Sequence, residues 1–102
     1  MYKILLFCNA GMSTSMLVSK MQKYAKDNNI EASIEAFPES QMDKKIDGAD
    51  AVLLGPQVRF LFDKAKKICG AKGVPVDVIN AADYGMMNGE KVLKHAIQMS
   101  GK

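Results

Sequence analysis

The segment CNAGMSTS at residues 8–15 places a thiol directly before groups that can bind an anion. Gly11 permits a positive φ, so successive backbone N–H groups can curl into a concave nest. A helix predicted to begin near Ser13 adds unpaired amides and the positive end of its dipole. This segment therefore predicts a phosphate-sized anion site whose field favours the thiolate form of Cys8. The residues of this predicted cradle are Asn9, Ala10, Gly11, Met12, Ser13, Thr14 and Ser15.

Cys8 has four interpretations from its residue type: core packing, redox cycling, lipid attachment and nucleophilic catalysis. Lipid attachment is disfavoured because the preceding apolar run is short and bulky Phe7 stands where cleavage needs a small residue. Redox cycling is disfavoured because Cys69 is too distant in sequence for a CxxC motif. Packing stays open at this point, since free cysteines are among the most buried residues.

The remaining metal-ligating residue types do not form a recognisable set. Cys69 falls late in a predicted helix on its apolar side, which favours packing. His95 is the only histidine, so no familiar zinc spacing can be assembled, and it is interpreted as a surface or packing residue. The sequence predicts neither a metal nor a cofactor.

The bulk composition is that of a globular protein. The chain has 102 residues, 48% hydrophobic and 25% charged, which predicts a single domain over 1–102. A net charge of +3 without a basic stretch among aromatics argues against nucleic acid binding. No run approaches membrane-spanning length, so we expect a soluble, cytoplasmic protein without membrane insertion, and a monomer.

Four apolar runs alternate with helical patterns along the chain. Strands are predicted at 4–7, 30–37, 51–54 and 74–79, with a loop after the last. Helices are predicted at 13–28, within 39–48, at 58–71 and around Val92–Ile97. This alternation predicts an α/β fold, a parallel sheet with helices on both faces.

The strand compositions predict the order 2-1-3-4. Strands 1 and 3 are apolar throughout and should be central, whereas strand 2 alternates and strand 4 contains Pro75, which suits an edge. The order places the topological switch point between strands 1 and 3, where such sheets bind ligands. Cys8 ends strand 1 and so falls at that point, which makes packing the weaker interpretation.

The loop after strand 1 resembles that of the low-molecular-weight tyrosine phosphatases, which reads cysteine, five residues, arginine, then serine or threonine. Here NAGMS follows Cys8, so Thr14 stands at the arginine position and Ser15 follows it. In those enzymes the arginine grips the phosphate and stabilises the transferring group. Thr14 therefore argues against an efficient phosphatase.

The whole chain more closely resembles the IIB component of the sugar phosphotransferase system, lactose/cellobiose/chitobiose type. The resemblance rests on KILLFCNAGMSTSMLV at the start, LLGPQVR at 53–59 and DYGMMNGE at 83–90. It implies a phosphotransferase component in which Cys8 accepts a phosphoryl group from a phosphohistidine of the IIA protein. The group then passes to a sugar, such as cellobiose or chitobiose, bound by the membrane component IIC on a separate chain. The alternatives are a phosphatase-like or arsenate-reductase-like enzyme and a non-catalytic phosphate-binding module.

The other strand-end loops should surround the cradle. Gln57 and Arg59 are candidates for contact with phosphate or partner, against the alternative of a helix start and a surface charge. Asp83 and Tyr84 are similar in place to the Asp-Pro-Tyr stretch that supplies the general acid in the phosphatases, although no proline follows Asp83. The resemblance suggests Asp83 as a proton donor and Tyr84 as a wall of the site.

Methionines are a further feature of these loops. Met12 lies in the cradle, and Met86 and Met87 follow strand 4. They are interpreted either as a soft apolar rim that docks two partners in turn or as gap fillers in the core.

Overall fold

A computed structural model describes residues 1–9 and 12–101, without the side chains of Met12 and Ser13. The strands are β1 (Tyr2–Cys8), β2 (Ala32–Pro38), β3 (Ala51–Leu54) and β4 (Val76–Val78). The helices are α1 (Met12–Asp27), α2 (Met42–Lys45), α3 (Phe62–Ala71), α4 (Ala81–Gly85) and α5 (Gly89–Ser100). Two 3₁₀ turns, Glu39–Gln41 and Pro56–Leu61, lead into α2 and α3.

The four strands form one parallel sheet in the order β2-β1-β3-β4, which confirms the predicted order. The central strand β1 pairs with β2 and β3, so that Leu6 lies opposite Ala36 on one side and Leu53 on the other. Residues 4–8 of β1 and 51–54 of β3 are buried on both faces of the sheet, because helices cover each face.

Each face of the sheet carries its own hydrophobic core. Ile4 and Leu6 point to one face, where they join a core with residues of α1 and α5. Leu5 and Phe7 point to the opposite face, where they join a core with residues of α2 and α3. The alternation of β1 side chains thus divides the helices into two layers, and it holds β1 between them.

Two strands are shorter than predicted because their first residues close the preceding helix. β2 begins at Ala32, since the Ile30 amide donates to the Ala25 carbonyl at 2.8 Å and closes the end of α1. β4 begins at Val76, since the Val74 amide donates to the Cys69 carbonyl at 2.9 Å at the end of α3. In both places, an amide of a residue that the apolar pattern assigns to a strand donates a hydrogen bond to the end of the preceding helix.

The prediction of a loop after strand 4 is wrong, because residues 81–85 form α4. Its signal is Asn80, whose side-chain oxygen accepts from the amides of Ala82 at 2.9 Å and Asp83 at 3.1 Å. The helix predicted at 58–71 is likewise two elements, a 3₁₀ turn that starts at Pro56 and an α-helix from Phe62. Val58 breaks the regular helix with φ −117°.

The helices are short and amphipathic. α1 is the longest described helix at 16 residues, and it contains four charged residues. In the described residues, no helix combines the length and the apolar character needed to cross a bilayer.

Candidate functional site

Cys8 is the last residue of the central strand and lies opposite Pro38 of β2. Its side chain is 4% exposed, and α1 begins four residues later at Met12. The thiol therefore stands where the chain turns from the carboxyl end of β1 into a helix N-terminus, at the switch point of the sheet. Of the predicted cradle, Ala10, Gly11 and the side chains of Met12 and Ser13 lie outside the described residues.

The described part of the cradle suits an anion. The first turn of α1 contains no acidic residue, although carboxylates are the side chains that a helix N-terminus stabilises. No carboxylate in the first turn of α1 therefore competes with an external anion for the positive end of the helix dipole. Asn9 and Ser15 are exposed, whereas Thr14 is fully buried.

Thr14 is hydrogen-bonded to Tyr84 in the segment after β4, and through Tyr84 it is linked to the segment after β3. Thr14 Oγ1 lies 2.9 Å from the Tyr84 hydroxyl, and Gln57 Nε2 donates to the same hydroxyl at 3.4 Å. Tyr84 belongs to α4 after β4, and Gln57 to the 3₁₀ turn after β3. The structure therefore brings together three residues that sequence analysis placed on separate loops.

Tyr84 is held by the local structure on either side of it. Asn80 caps α4 at its start, and the Asn88 amide donates to the Asp83 carbonyl at 2.8 Å beyond its end. The Tyr84 ring is half-buried and packs against the core that contains α1 and α5. The phenol hydroxyl is thus fixed at the edge of the sheet, beside the start of α1.

Asp83 is placed differently from its neighbour. It is half-buried and lines a small pocket with Asn80 and His95, on the side of α4 next to α5. The structure brings Tyr84, but not Asp83, into hydrogen-bond contact with Thr14. A role of Asp83 as proton donor stays a prediction.

Several large side chains at this edge are exposed. Met86 is 68% exposed and Phe60, which sequence analysis did not single out, is 76% exposed. Arg59 is also exposed in the same 3₁₀ turn. Met87 differs, since it adopts φ 53° and packs against the core with α1 and α5. The exposure of Phe60 could not be predicted from the sequence, because its spacing from other apolar residues does not distinguish it from a buried residue.

The two residues assigned to packing or surface roles lie away from this group. Cys69 is a free, fully buried cysteine in the core with α2 and α3, and burial raises the pKa of its thiol. His95 is exposed, and its Nε2 lies 3.0 Å from Asp77 Oδ2. Within the described residues, no cluster of three or more His, Cys, Asp or Glu side chains could hold a metal ion.

The arrangement as a whole favours nucleophilic chemistry on an anion. A thiol at the end of a buried strand comes shortly before a helix N-terminus, and the hydroxyls of Thr14 and Tyr84 and the amide of Gln57 form a hydrogen-bonded group at the first turn of that helix. Such donors stabilise both a thiolate and a phosphoryl group bound to it.

Comparison with known proteins points to one family. Residues 3–95 match the family described as "PTS system, Lactose/Cellobiose specific IIB subunit". The chain is 49% identical over 98 residues to a cellobiose-specific EIIB component of Lactococcus lactis subsp. lactis, with 91% of each chain covered. It is 48% identical over 98 residues to a galactose-specific EIIB component of L. lactis subsp. cremoris, also with 91% of each covered. An oligo-beta-mannoside-specific EIIB component of Bacillus subtilis is 41% identical over 99 residues, with 97% of this chain and 96% of that one covered.

Two solved structures have the same fold. The solution structure of a cellobiose-specific phosphotransferase IIB component from Borrelia burgdorferi superposes with a TM-score of 0.82 at 51% identity, covering 98% of this chain and 92% of that one. A lactose-specific IIB component domain from Streptococcus pneumoniae superposes with a TM-score of 0.86 at 16% identity, with 96% of both covered. At that low identity the second comparison supports the fold alone.

Proposed function

Because the chain belongs to the lactose/cellobiose-specific IIB family of the sugar phosphotransferase system, and is therefore a phosphotransferase component, we propose that Cys8 carries the phosphoryl group. The observation that supports this most is the position of Cys8, at the carboxyl end of β1 and directly before α1. It lies at the switch point of the sheet, in a chain that matches the family over residues 3–95.

The proposed relay has two steps. The Cys8 thiolate attacks the phosphorus of a phosphohistidine on IIA, so that an S–P bond forms, the N–P bond breaks and the imidazole leaves. A sugar hydroxyl bound by IIC then attacks the same phosphorus. The O–P bond forms, the S–P bond breaks, the thiolate is regenerated and the hydroxyl proton passes to a base. Residues 9–15 hold the phosphoryl group between the two steps.

The chain works between two partners in this proposal. IIA is the donor and the membrane component IIC, with its bound sugar, is the acceptor. We place the relay in the cytoplasm, as one domain acting as a monomer, with its reactive cysteine as a free thiol. The sugar we propose is a β-linked disaccharide of the cellobiose or chitobiose kind. The cellobiose-specific and galactose-specific relatives are 49% and 48% identical to this chain, and their nearly equal similarity fits a sugar choice made by IIC.

We further propose a docking rim made of Phe60 and Met86, which are exposed, together with Met12 of the predicted cradle, whose side chain lies outside the described residues. Phe60 and Met86 are 76% and 68% exposed, and adaptable apolar side chains suit a surface that binds two partners in turn.

The rim is tested by exchanging its members for serine. Met12→Ser, Phe60→Ser and Met86→Ser should each slow transfer from IIA and to IIC by several-fold through weaker docking, at unchanged thermal stability. Transfer rates from IIA and to IIC that equal those of the wild type would exclude the rim. Lys44→Ser, an exposed substitution in α2, is the control.

The function itself is tested by comparing transfer with hydrolysis. With phosphoenolpyruvate, the general phosphotransferase proteins, a IIA and membranes that contain the IIC, the protein should support formation of sugar phosphate. It should turn over a generic aryl phosphate only slowly, since Thr14 stands where phosphatases have arginine. Rapid aryl phosphate turnover without sugar phosphate would contradict the relay and favour a phosphatase.

A further inference from the structure

The Tyr84 hydroxyl is the meeting point of two hydrogen bonds that link the ends of three strands. It lies 2.9 Å from Thr14 Oγ1 and accepts from Gln57 Nε2 at 3.4 Å. Thr14 follows β1, Gln57 follows β3 and Tyr84 follows β4. No member of this group is charged, although Thr14 stands at the sequence position where the phosphatase loop has an arginine.

The chemistry of the groups gives the chain of hydrogen bonds a direction. An amide nitrogen only donates, so the Tyr84 oxygen accepts from Gln57, and this leaves the single hydrogen of Tyr84 available to Thr14. When Thr14 Oγ1 accepts that hydrogen, its own hydrogen is free to point to a further acceptor. Thr14 is fully buried, and a buried hydroxyl without partners is costly, so the Tyr84 contact stabilises Thr14 where it is.

Gln57 reaches Tyr84 because residue 55 is a glycine. A Cβ atom on Gly55 would lie 2.5 Å from Gln57 Oε1 and 2.9 Å from Gln57 Cδ. Such distances are shorter than any van der Waals contact, so a side chain at position 55 would displace the Gln57 amide. The glycine at the end of β3 thus leaves room for the amide to lie back over the strand end.

We propose that Tyr84 is a positioning residue for the relay. Supported by Gln57, its hydroxyl directs the Thr14 hydroxyl to donate to the phosphoryl group on Cys8. This inference rests on the proposed function and deepens it, because it supplies a neutral donor at the position of the missing arginine. A neutral donor stabilises the phosphocysteine without the cation that promotes attack by water. Tyr84 makes and breaks no bond to phosphorus.

The test is the equilibrium of phosphoryl exchange between phospho-IIA and Cys8. Tyr84→Phe removes only the hydroxyl and should lower the equilibrium ratio of phosphorylated to free Cys8 by about three- to tenfold, the value of one hydrogen bond between neutral groups. Tyr24→Phe is the matched control, because Tyr24 lies ten residues further along α1, about 15 Å from Thr14. It should leave the ratio unchanged.

A second variant separates positioning from folding. Gln57 is exposed, so Gln57→Ala should fold normally and lower the ratio by a smaller factor. In a Tyr84→Phe background it should lower the ratio no further, because its partner is already gone. Gly55→Ala should reproduce Gln57→Ala.

The outcomes are distinguishable. A wild-type Cys8 that takes up no phosphoryl group would overturn the proposed function together with this inference. A phosphorylated wild type whose Tyr84→Phe and Gln57→Ala ratios equal that of Tyr24→Phe would overturn the positioning role alone. A loss of thermal stability in Tyr84→Phe at an unchanged ratio would show a purely structural contact and overturn it too.

Discussion

In the proposed relay, Thr14 is the residue that separates carrying a phosphoryl group from hydrolysing it. It stands at the position that corresponds to the arginine of the similar phosphatase loop, and its buried hydroxyl is hydrogen-bonded to Tyr84. A relay must bind the group firmly and yet withhold it from water. We propose that a neutral hydroxyl at this position meets both requirements, because it would donate one hydrogen bond to the phosphoryl group and adds no cation to stabilise charge in the hydrolytic transition state.

Thr14→Arg should therefore speed hydrolysis of phospho-Cys8. We expect at least a roughly tenfold faster loss of the group in buffer, since a well-placed arginine accelerates phosphoryl transfer by far more than this. The measurement is the decay of phosphorylated protein after removal of IIA. Thr14→Val is the control for lost contact with Tyr84, because it keeps the shape without a cation. Equal decay rates in Thr14→Arg and Thr14→Val folded proteins would disprove the interpretation of Thr14.

At the scale of single residues, sequence predicts the chemistry of the site better than its contacts. Cys8 and Thr14 are predicted by their place in a short motif. The contact of Thr14 with Tyr84 joins residues 70 positions apart, and it depends on how α4 is oriented. That orientation follows from the Asn80 cap and from packing on the core, which no local pattern encodes.

At the scale of elements, the strand order followed from composition while several boundaries did not. The continuous apolar runs of β1 and β3 and the Pro75 at the edge are enough to order the sheet. The ends of β2 and β4 depend on amides that close α1 and α3 instead. Whether such a residue closes a helix or extends a strand is decided by tertiary geometry, because its intrinsic propensity suits either element.

Close packing of α1 and α5 depends on Gly89. A Cβ there would lie 2.7 Å from the backbone carbon of Lys20 and the amide nitrogen of Met21. Gly89→Ala should lower the free energy of unfolding by about 1–3 kcal/mol, because neither backbone atom can yield without moving α1. Urea denaturation measures the change.

The matched control is Gly70→Ala in α3. Nothing lies within 4 Å of a Cβ at Gly70, so the alanine should raise the free energy of unfolding by about 0.5–1 kcal/mol through better helix propensity. If both variants shifted stability in the same direction, the proposed close contact of the helices would be incorrect.

At the scale of the whole molecule, the fold separates its two cysteines. The Val74 amide donates to the Cys69 carbonyl, so Val74 marks the level of the Cys69 backbone at the end of α3. Val74 lies two residues before Val76, which pairs with Val52, and Val52 pairs in turn with Leu5 of β1. Cys8 is therefore about 16 Å further along the sheet than the end of α3, at about 3.3 Å per residue. A disulfide cannot span such a distance. Burial also raises the pKa of the Cys69 thiol, which disfavours the thiolate form that phosphoryl transfer through Cys69 would need.

Because the two cysteines lie far apart, Cys69→Ser is a matched control for the claim that Cys8 carries the phosphoryl group. The most direct test is mass spectrometry of the protein after incubation with phosphoenolpyruvate, the general phosphotransferase proteins and a IIA. We predict a mass increase of one phosphoryl group that maps to Cys8, is retained in Cys69→Ser and is absent in Cys8→Ser. A phosphoryl group that maps to another residue, or that persists in Cys8→Ser, would contradict the account.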